Sequence, residues 1–116
     1  MHQILFDNDI IIAHDREVQR FKKDADLSAV LSGIDEAQIC VVDFDVQISP
    51  APETNIETKD SLLAREFSHY YSGDYLIQDE RIESNLFQVI GIRTERVREI
   101  YAQVPSDKVS TFIPYS

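Results

Sequence analysis

The chain has 116 residues, 43% of them hydrophobic, with six Phe and five Tyr; that is enough apolar material for one core and too aromatic for a disordered segment. Its 21 acidic and 11 basic residues leave a formal charge of -10, and that field repels phosphate backbones and anionic lipid headgroups. Nucleic acid is thereby a poor partner, and a basic protein surface a better one.

A lone cysteine, Cys40, excludes an internal disulfide and any multi-thiolate metal site within one chain. Its place in the apolar run Ile39-Cys40-Val41-Val42 makes it a small core residue. The start, Met1-His2-Gln3-Ile4-Leu5-Phe6-Asp7, has neither the basic opening nor the long apolar segment of a signal peptide. No stretch reaches the roughly 20 apolar residues of a membrane helix, so the chain is expected to be a soluble cytoplasmic piece.

In chain order, Ile4-Leu5-Phe6 and Ile10-Ile11-Ile12-Ala13 predict a hairpin closed by Asp7-Asn8-Asp9, whose side chains suit a tight turn. Val18 to Lys22 predicts a third strand at a sheet edge. Asp26 is placed to cap a short helix from Leu27 to Leu31, with Gly33 ending it in a left-handed turn. Gln38 to Phe44 is nearly unbroken apolar sequence, the pattern of a strand covered on both faces, and is the candidate central strand. Pro50 and Pro52 predict a surface loop from Ser49 to Glu57.

Leu62, Leu63, Phe67 and Tyr70 or Tyr71 recur at helical spacing and predict the longest helix, Lys59 to Tyr71, stopped by Ser72-Gly73. Tyr75-Leu76-Ile77 and Leu86 to Ile92 predict a second hairpin across the charged stretch Asp79 to Glu83. Thr94 caps a helix with Val97, Ile100, Tyr101 and Val104 on one face; Pro105 ends it, and Val109 to Ile113 forms a last strand. The expected fold is mixed α/β in the order βββαβ-αββαβ, each strand-helix-strand unit placing its two strands parallel in a mixed sheet. The expected organisation is one domain over 1–116, with subdomains 1–48 and 58–116 joined by the loop 49–57.

Few residue patterns point to catalysis. A metal nuclease of the ribonuclease H type begins with the same elements and gathers carboxylates from different strands around divalent ions, and Asp7 with Asp43 or Asp45 offers some of them. Against it, Asp7 and Asp9 flank a turn that favours Asp anyway, no helical carboxylate completes the set, and the charge opposes the substrate. His2, His14 and His69 lack the spacing of a ready zinc site. Ser68, His69 and Asp74 lack a nucleophile elbow. Gly33, Gly73 and Gly91 are too far apart to cradle a phosphate. The expectation is a chain that is not an enzyme and carries no cofactor and no metal.

The helix bearing Arg65-Glu66-Phe67, the strand pair after it, and Ile92-Arg93-Thr94-Glu95-Arg96-Val97-Arg98-Glu99-Ile100-Tyr101 before a final strand resemble the actin-like cytoplasmic domains of inner-membrane platform proteins of type IV pilus and type II secretion systems. The first half is similar to the start of the same domains. The resemblance implies a truncated actin-like, ribonuclease H-like architecture without ATPase activity, in agreement with Asp7-Asn8-Asp9 standing where a Gly-rich phosphate loop would lie. It implies a scaffold on the cytoplasmic side of the bacterial inner membrane, continuing past Ser116 into a transmembrane helix. The partners it implies are the N-terminal domain of the assembly ATPase and other platform proteins.

The acidic residues Asp43 and Asp45, and Asp79, Glu80 and Glu83, are the candidate partner-binding groups, with Arg96 on the last helix. The edge from Val18 to Lys22 can pair with a second copy. A free-standing cytoplasmic adaptor or regulatory subunit is the alternative; continuation of the chain into an apolar segment beyond Ser116 would separate the two.

Overall fold

The computed structural model describes residues 1–50 and 56–115. Its elements run β1 (His2–Phe6), β2 (Asp9–His14), β3 (Glu17–Lys22), α1 (Ser28–Leu31), β4 (Ala37–Val41), β5 (Asp45–Pro50), α2 (Ile56–Tyr70), β6 (Tyr75–Glu83), β7 (Leu86–Arg93), α3 (Thr94–Gln103), a 3-10 turn at Ser106–Lys108, and β8 (Val109–Pro114). They form two compact units, Met1–Val42 with Glu95–Ser116, and Asp43–Thr94. The second unit is thus inserted within the first, a division unlike the expected subdomains 1–48 and 58–116. Most of the expected loop 49–57 lies outside the described residues.

The first unit is built on a mixed five-stranded sheet in the order β3-β2-β1-β4-β8. β1, β2 and β3 form an antiparallel meander. Asp7 donates its backbone N–H to the Asp9 carbonyl at 3.1 Å in the first turn. Asp15 takes a left-handed φ of 55° in the second, a conformation that Asp tolerates better than most residues. β4 runs parallel to both β1 and β8, so it is flanked on either side. Its Ala37, Ile39, Cys40 and Val41 are all buried, as an unbroken apolar run requires.

Register places Ile4, Ile12 and Ile39 in one row, and Phe6, Ile10 and Val41 in the next, on a common face of the sheet. These side chains are buried, each contributing about 1.5–3 kcal/mol relative to exposure. α3 packs over this face, burying Val97 and Ile100, and the Tyr101 ring lies 6.1 Å from that of Phe112 on β8. Two polar ties hold the margins: Gln103 Nε2 donates to the Lys23 carbonyl at 2.6 Å, and Lys108 Nζ to the Ile34 carbonyl at 2.7 Å.

Several details differ from the sequence expectation. Asp26 does accept hydrogen bonds from the Ser28 backbone N–H and hydroxyl, which hold its carboxyl below the usual range, but Leu27 occupies the flanking position of α1. Gly33 is not left-handed; among the described residues only Asp15 and Gly73 have positive φ. Neither strand-helix-strand unit sets its own two strands side by side. β4 pairs with β1 because the meander leaves that edge of β1 open, and β8 then pairs with β4.

The second unit is an antiparallel sheet in the order β5-β7-β6 with α2 on one face. Leu63 and Phe67 of α2 meet Phe87 and Val89 of β7, with Tyr71, Tyr75 and Ile77 packed around them. Gly91 permits the close approach: a Cβ there would sit 2.3 Å from Cζ of Phe67. β5 replaces part of the expected loop. β4 ends at Val41 rather than Phe44, and Val46 and Ile48 alternate with Gln47 and Ser49 along a strand that Pro50 can close. β6 runs through the charged stretch expected to be a connection, leaving a two-residue turn at Ser84-Asn85. α2 starts at Ile56, before the expected Lys59.

Gly91→Ala should cost about 1–3 kcal/mol in urea unfolding through overpacking against Phe67, and Phe67→Leu should recover part of that loss in the double variant. Additive losses would show that the two positions do not meet.

Candidate partner-binding surface

Of the six candidate residues, five belong to the second unit and one to the first. Asp43 is exposed on the connection between β4 and β5. Asp45 opens β5 on the face that α2 covers, where its carboxylate accepts a hydrogen bond from the Tyr75 hydroxyl at 2.8 Å. Asp79 shares that face and is paired with Lys59 Nζ at 3.0 Å, which raises the lysine above its ordinary value. These two carboxylates hold the unit together internally.

Glu80 and Glu83 are exposed on β6. Glu80 lies opposite Gln88 of β7, which in turn lies opposite Ile48 of β5, so all three share the face away from α2. Arg96, on α3, is engaged within its own unit. Its side chain is only 16% exposed, pairs with Glu99 at 2.8 Å and donates to the Phe6 carbonyl at 3.2 Å, anchoring α3 to the end of β1.

The same sheet face carries a feature that the sequence reading passed over. Val46, Ile48 and Leu76 are 40%, 51% and 38% exposed, and Ile82 near the end of β6 is 50% exposed. β5 and β6 are both edge strands, each with one side unpaired in the sheet. Val46 and Ile48 lie on the β5 edge and Leu76 on the β6 edge, with Ile90 and Ile92 of β7 buried between them, so each edge offers an extended segment a few exposed apolar side chains, with Glu80 and Glu83 on the β6 side. The signal in the sequence is the alternation of Val46 and Ile48 with Gln47 and Ser49, in the stretch between the expected strand ending at Phe44 and the expected loop starting at Ser49.

Beside the β1–β2 turn lies a cavity of about 340 Å³ lined by Phe6, Asp7, Lys23, Arg96, Glu99 and Gln103 among others. Arg96 is engaged with Glu99 and backbone, and Asp7 adds a negative charge. Among the described residues no group of three or more His, Cys, Asp and Glu side chains is arranged to hold a metal ion. Burial pushes the Cys40 thiol above its ordinary value, which suppresses the reactive thiolate. No helix among the described residues is long and apolar enough to cross a membrane.

A scan against protein families finds no match, and a search of curated proteins finds none. Solved structures do match. The chain is similar over 97% of its length to the cytoplasmic domain of EpsL, an inner-membrane component of the type II secretion system of Vibrio cholerae, with a TM-score of 0.63 and 14% identity. It is also similar over 96% of its length to a Bacteroides thetaiotaomicron protein of unknown function with an actin-like ATPase fold, with a TM-score of 0.51 and 14% identity. The fold is a truncated actin-like one. The chain spans 56% and 50% of those two chains. In this actin-like frame the turn between the first two strands is Asp7-Asn8, with no glycine near it.

The Tyr75 phenol is held above its ordinary range, first by donating to Asp45, then by desolvation and the Asp45 charge, with Arg93 opposing. Folding therefore favours the neutral phenol. That contribution is fully present below the ordinary tyrosine value of about 10 and is lost as pH rises through the raised value. Ultraviolet titration should find one of the five tyrosines ionising later than the rest, and Asp45→Asn should bring it back toward them. A Tyr75 that titrates with the others in both proteins would remove the bond from this account.

Proposed function

We propose that this chain is a non-catalytic scaffold, the cytoplasmic part of an inner-membrane assembly platform of the type II secretion or type IV pilus kind, and that it docks the N-terminal domain of the assembly ATPase. The observation that carries the reading is the likeness to the cytoplasmic domain of EpsL over 97% of the chain. The finer resemblance, to the N-terminal cytoplasmic piece of the bundle-forming pilus biogenesis protein C, belongs to the same class of platform protein.

Two physical features support a holding role over a catalytic one. An acidic turn stands where phosphate would have to approach, and its charge opposes a nucleotide. The exposed apolar residues at the β5 and β6 edges provide desolvation energy, and Glu80 and Glu83 on β6 add electrostatic steering. In this role the protein positions a motor at the membrane so that its strokes act on the platform. Other platform proteins would contact the remaining surface, and the exposed edge of β3 is available to a second copy.

Calorimetric titration against the N-terminal domain of a cognate assembly ATPase, at low and high salt, is the direct test. Saturable binding should weaken with salt. Ile48→Asp should weaken it at least tenfold, about the effect of losing a central contact, at either salt. Glu80→Lys with Glu83→Lys should chiefly slow association at low salt. Absence of binding at concentrations of about tens of micromolar would favour an adaptor of unrelated function.

A further inference from the structure

The small sheet of the second unit has two edges, and their backbone groups differ. Thr94, immediately after β7, donates its N–H to the Asp74 carbonyl at 3.0 Å, so its backbone points toward the β6 side. Along an antiparallel ladder that direction alternates from residue to residue. Ile92, Ile90 and Gln88 therefore also bond to β6, opposite Leu76, Gln78 and Glu80. Gly91, Val89 and Phe87 bond to β5, opposite Asp45, Gln47 and Ser49. What points outward is then the backbone of Val46, Ile48 and Pro50 on β5, and of Tyr75, Ile77, Asp79 and Arg81 on β6.

The β5 edge is largely closed. Its Val46 carbonyl accepts the Tyr71 hydroxyl at 2.8 Å, which agrees with the alternation set by Thr94, and Pro50 has no N–H to give. The β6 edge has neither block. Tyr75 to Arg81 keeps unbroken register with β7 and contains no proline; the register shifts only between Arg81 and Glu83. Among the described residues no backbone group outside the sheet bonds to Tyr75, Ile77, Asp79 or Arg81.

We infer that β6 is the docking edge, and that the partner adds an extended segment with basic residues to it as a fourth strand of this sheet. The inference rests on the docking role proposed above and names its mode. The chemistry of the segment follows from its neighbours. On the face away from α2, one of its side chains meets the exposed Leu76, and another, four residues along, meets the exposed Glu80. An apolar residue suits the first position and a lysine or arginine the second, and Glu83 adds to the attraction on a basic flank. Ile48 lies on that same face roughly 10 Å from Glu80, two strand spacings away, within reach of the domain that carries the segment.

Amide hydrogen exchange, read by NMR on the intact chain alone and with the N-terminal domain of a cognate assembly ATPase, tests this. Alone, the Ile77 and Asp79 amides should exchange faster than those of Leu76, Gln78 and Glu80. In the complex Ile77 and Asp79 should slow by at least about tenfold, and the outward Ile48 amide should not. Arg81→Pro removes one outward N–H where an edge strand tolerates proline; with folding checked by circular dichroism, it should bind about fivefold more weakly than Arg81→Ala, within the span of one hydrogen bond. Binding without protection of Ile77 and Asp79 overturns the strand addition and leaves docking standing, whereas absence of binding overturns both. Protection of the same amides in the chain alone, rising with its concentration, assigns the edge to a second copy and also overturns the inference.

Discussion

The parallel pairing of β1 with β4 is the constraint from which the five-stranded sheet follows. β4 is apolar on both faces and cannot lie at a solvated edge, so both of its sides must be taken by other strands. β1 takes one side, because the tight meander through β2 and β3 grows from its other edge. The remaining side awaits β8, which arrives only at the end of the chain. The first unit therefore closes around its central strand with residues from both ends of the sequence, and the stretch from Asp43 to Thr94 forms a separate unit between them. Arg96, reaching from α3 to the carbonyl end of β1, reinforces this closure.

The second unit solves a different problem with the same materials. A three-stranded sheet has little interior, so its core depends on large rings, and the Phe67, Tyr71 and Tyr75 rings meet one another tilted and edge-on. Aromatic bulk needs room, which Gly91 supplies by having no side chain. The tyrosine hydroxyls need acceptors, and they find the Val46 carbonyl and the Asp45 carboxylate on β5. β5 is thus fastened to α2 and β6 by polar bonds on one face while Val46 and Ile48 face away from them. One side of the sheet is thus a core beneath α2; on the other, Ile90 and Ile92 of β7 are buried while Val46 and Ile48 at the β5 edge stay partly exposed.

This division changes the meaning of the acidic composition. A charge of -10 suggests a uniformly negative surface, yet Asp45 and Asp79 are engaged by Tyr75 and Lys59, and the exposed Glu80 and Glu83 border apolar residues. Charge and apolar area together are what a protein interface uses: the first sets encounter and register, the second supplies affinity.

Much of this architecture was legible in the sequence where local rules are strong. Apolar runs located β1, β2, β4 and β7, helical spacing located α2 and α3, and Asp-rich turns located the first hairpin. β5 was not legible, because Pro50 at its end carries a local loop signal while its strand character comes from pairing with Leu86–Gly91, some 36 to 46 residues away. Nor was the length of β6, whose charged half is held in the sheet by its ladder with β7 despite its composition. The candidate site divides in the same way. Sequence alone identified the acidic residues and the absence of a glycine-rich turn, since charge and backbone freedom are properties of individual residues. Only the tertiary structure decided which carboxylates face inward and that Arg96 is an anchor, because strand register sets which side chains share a face, and register depends on partners distant in the chain.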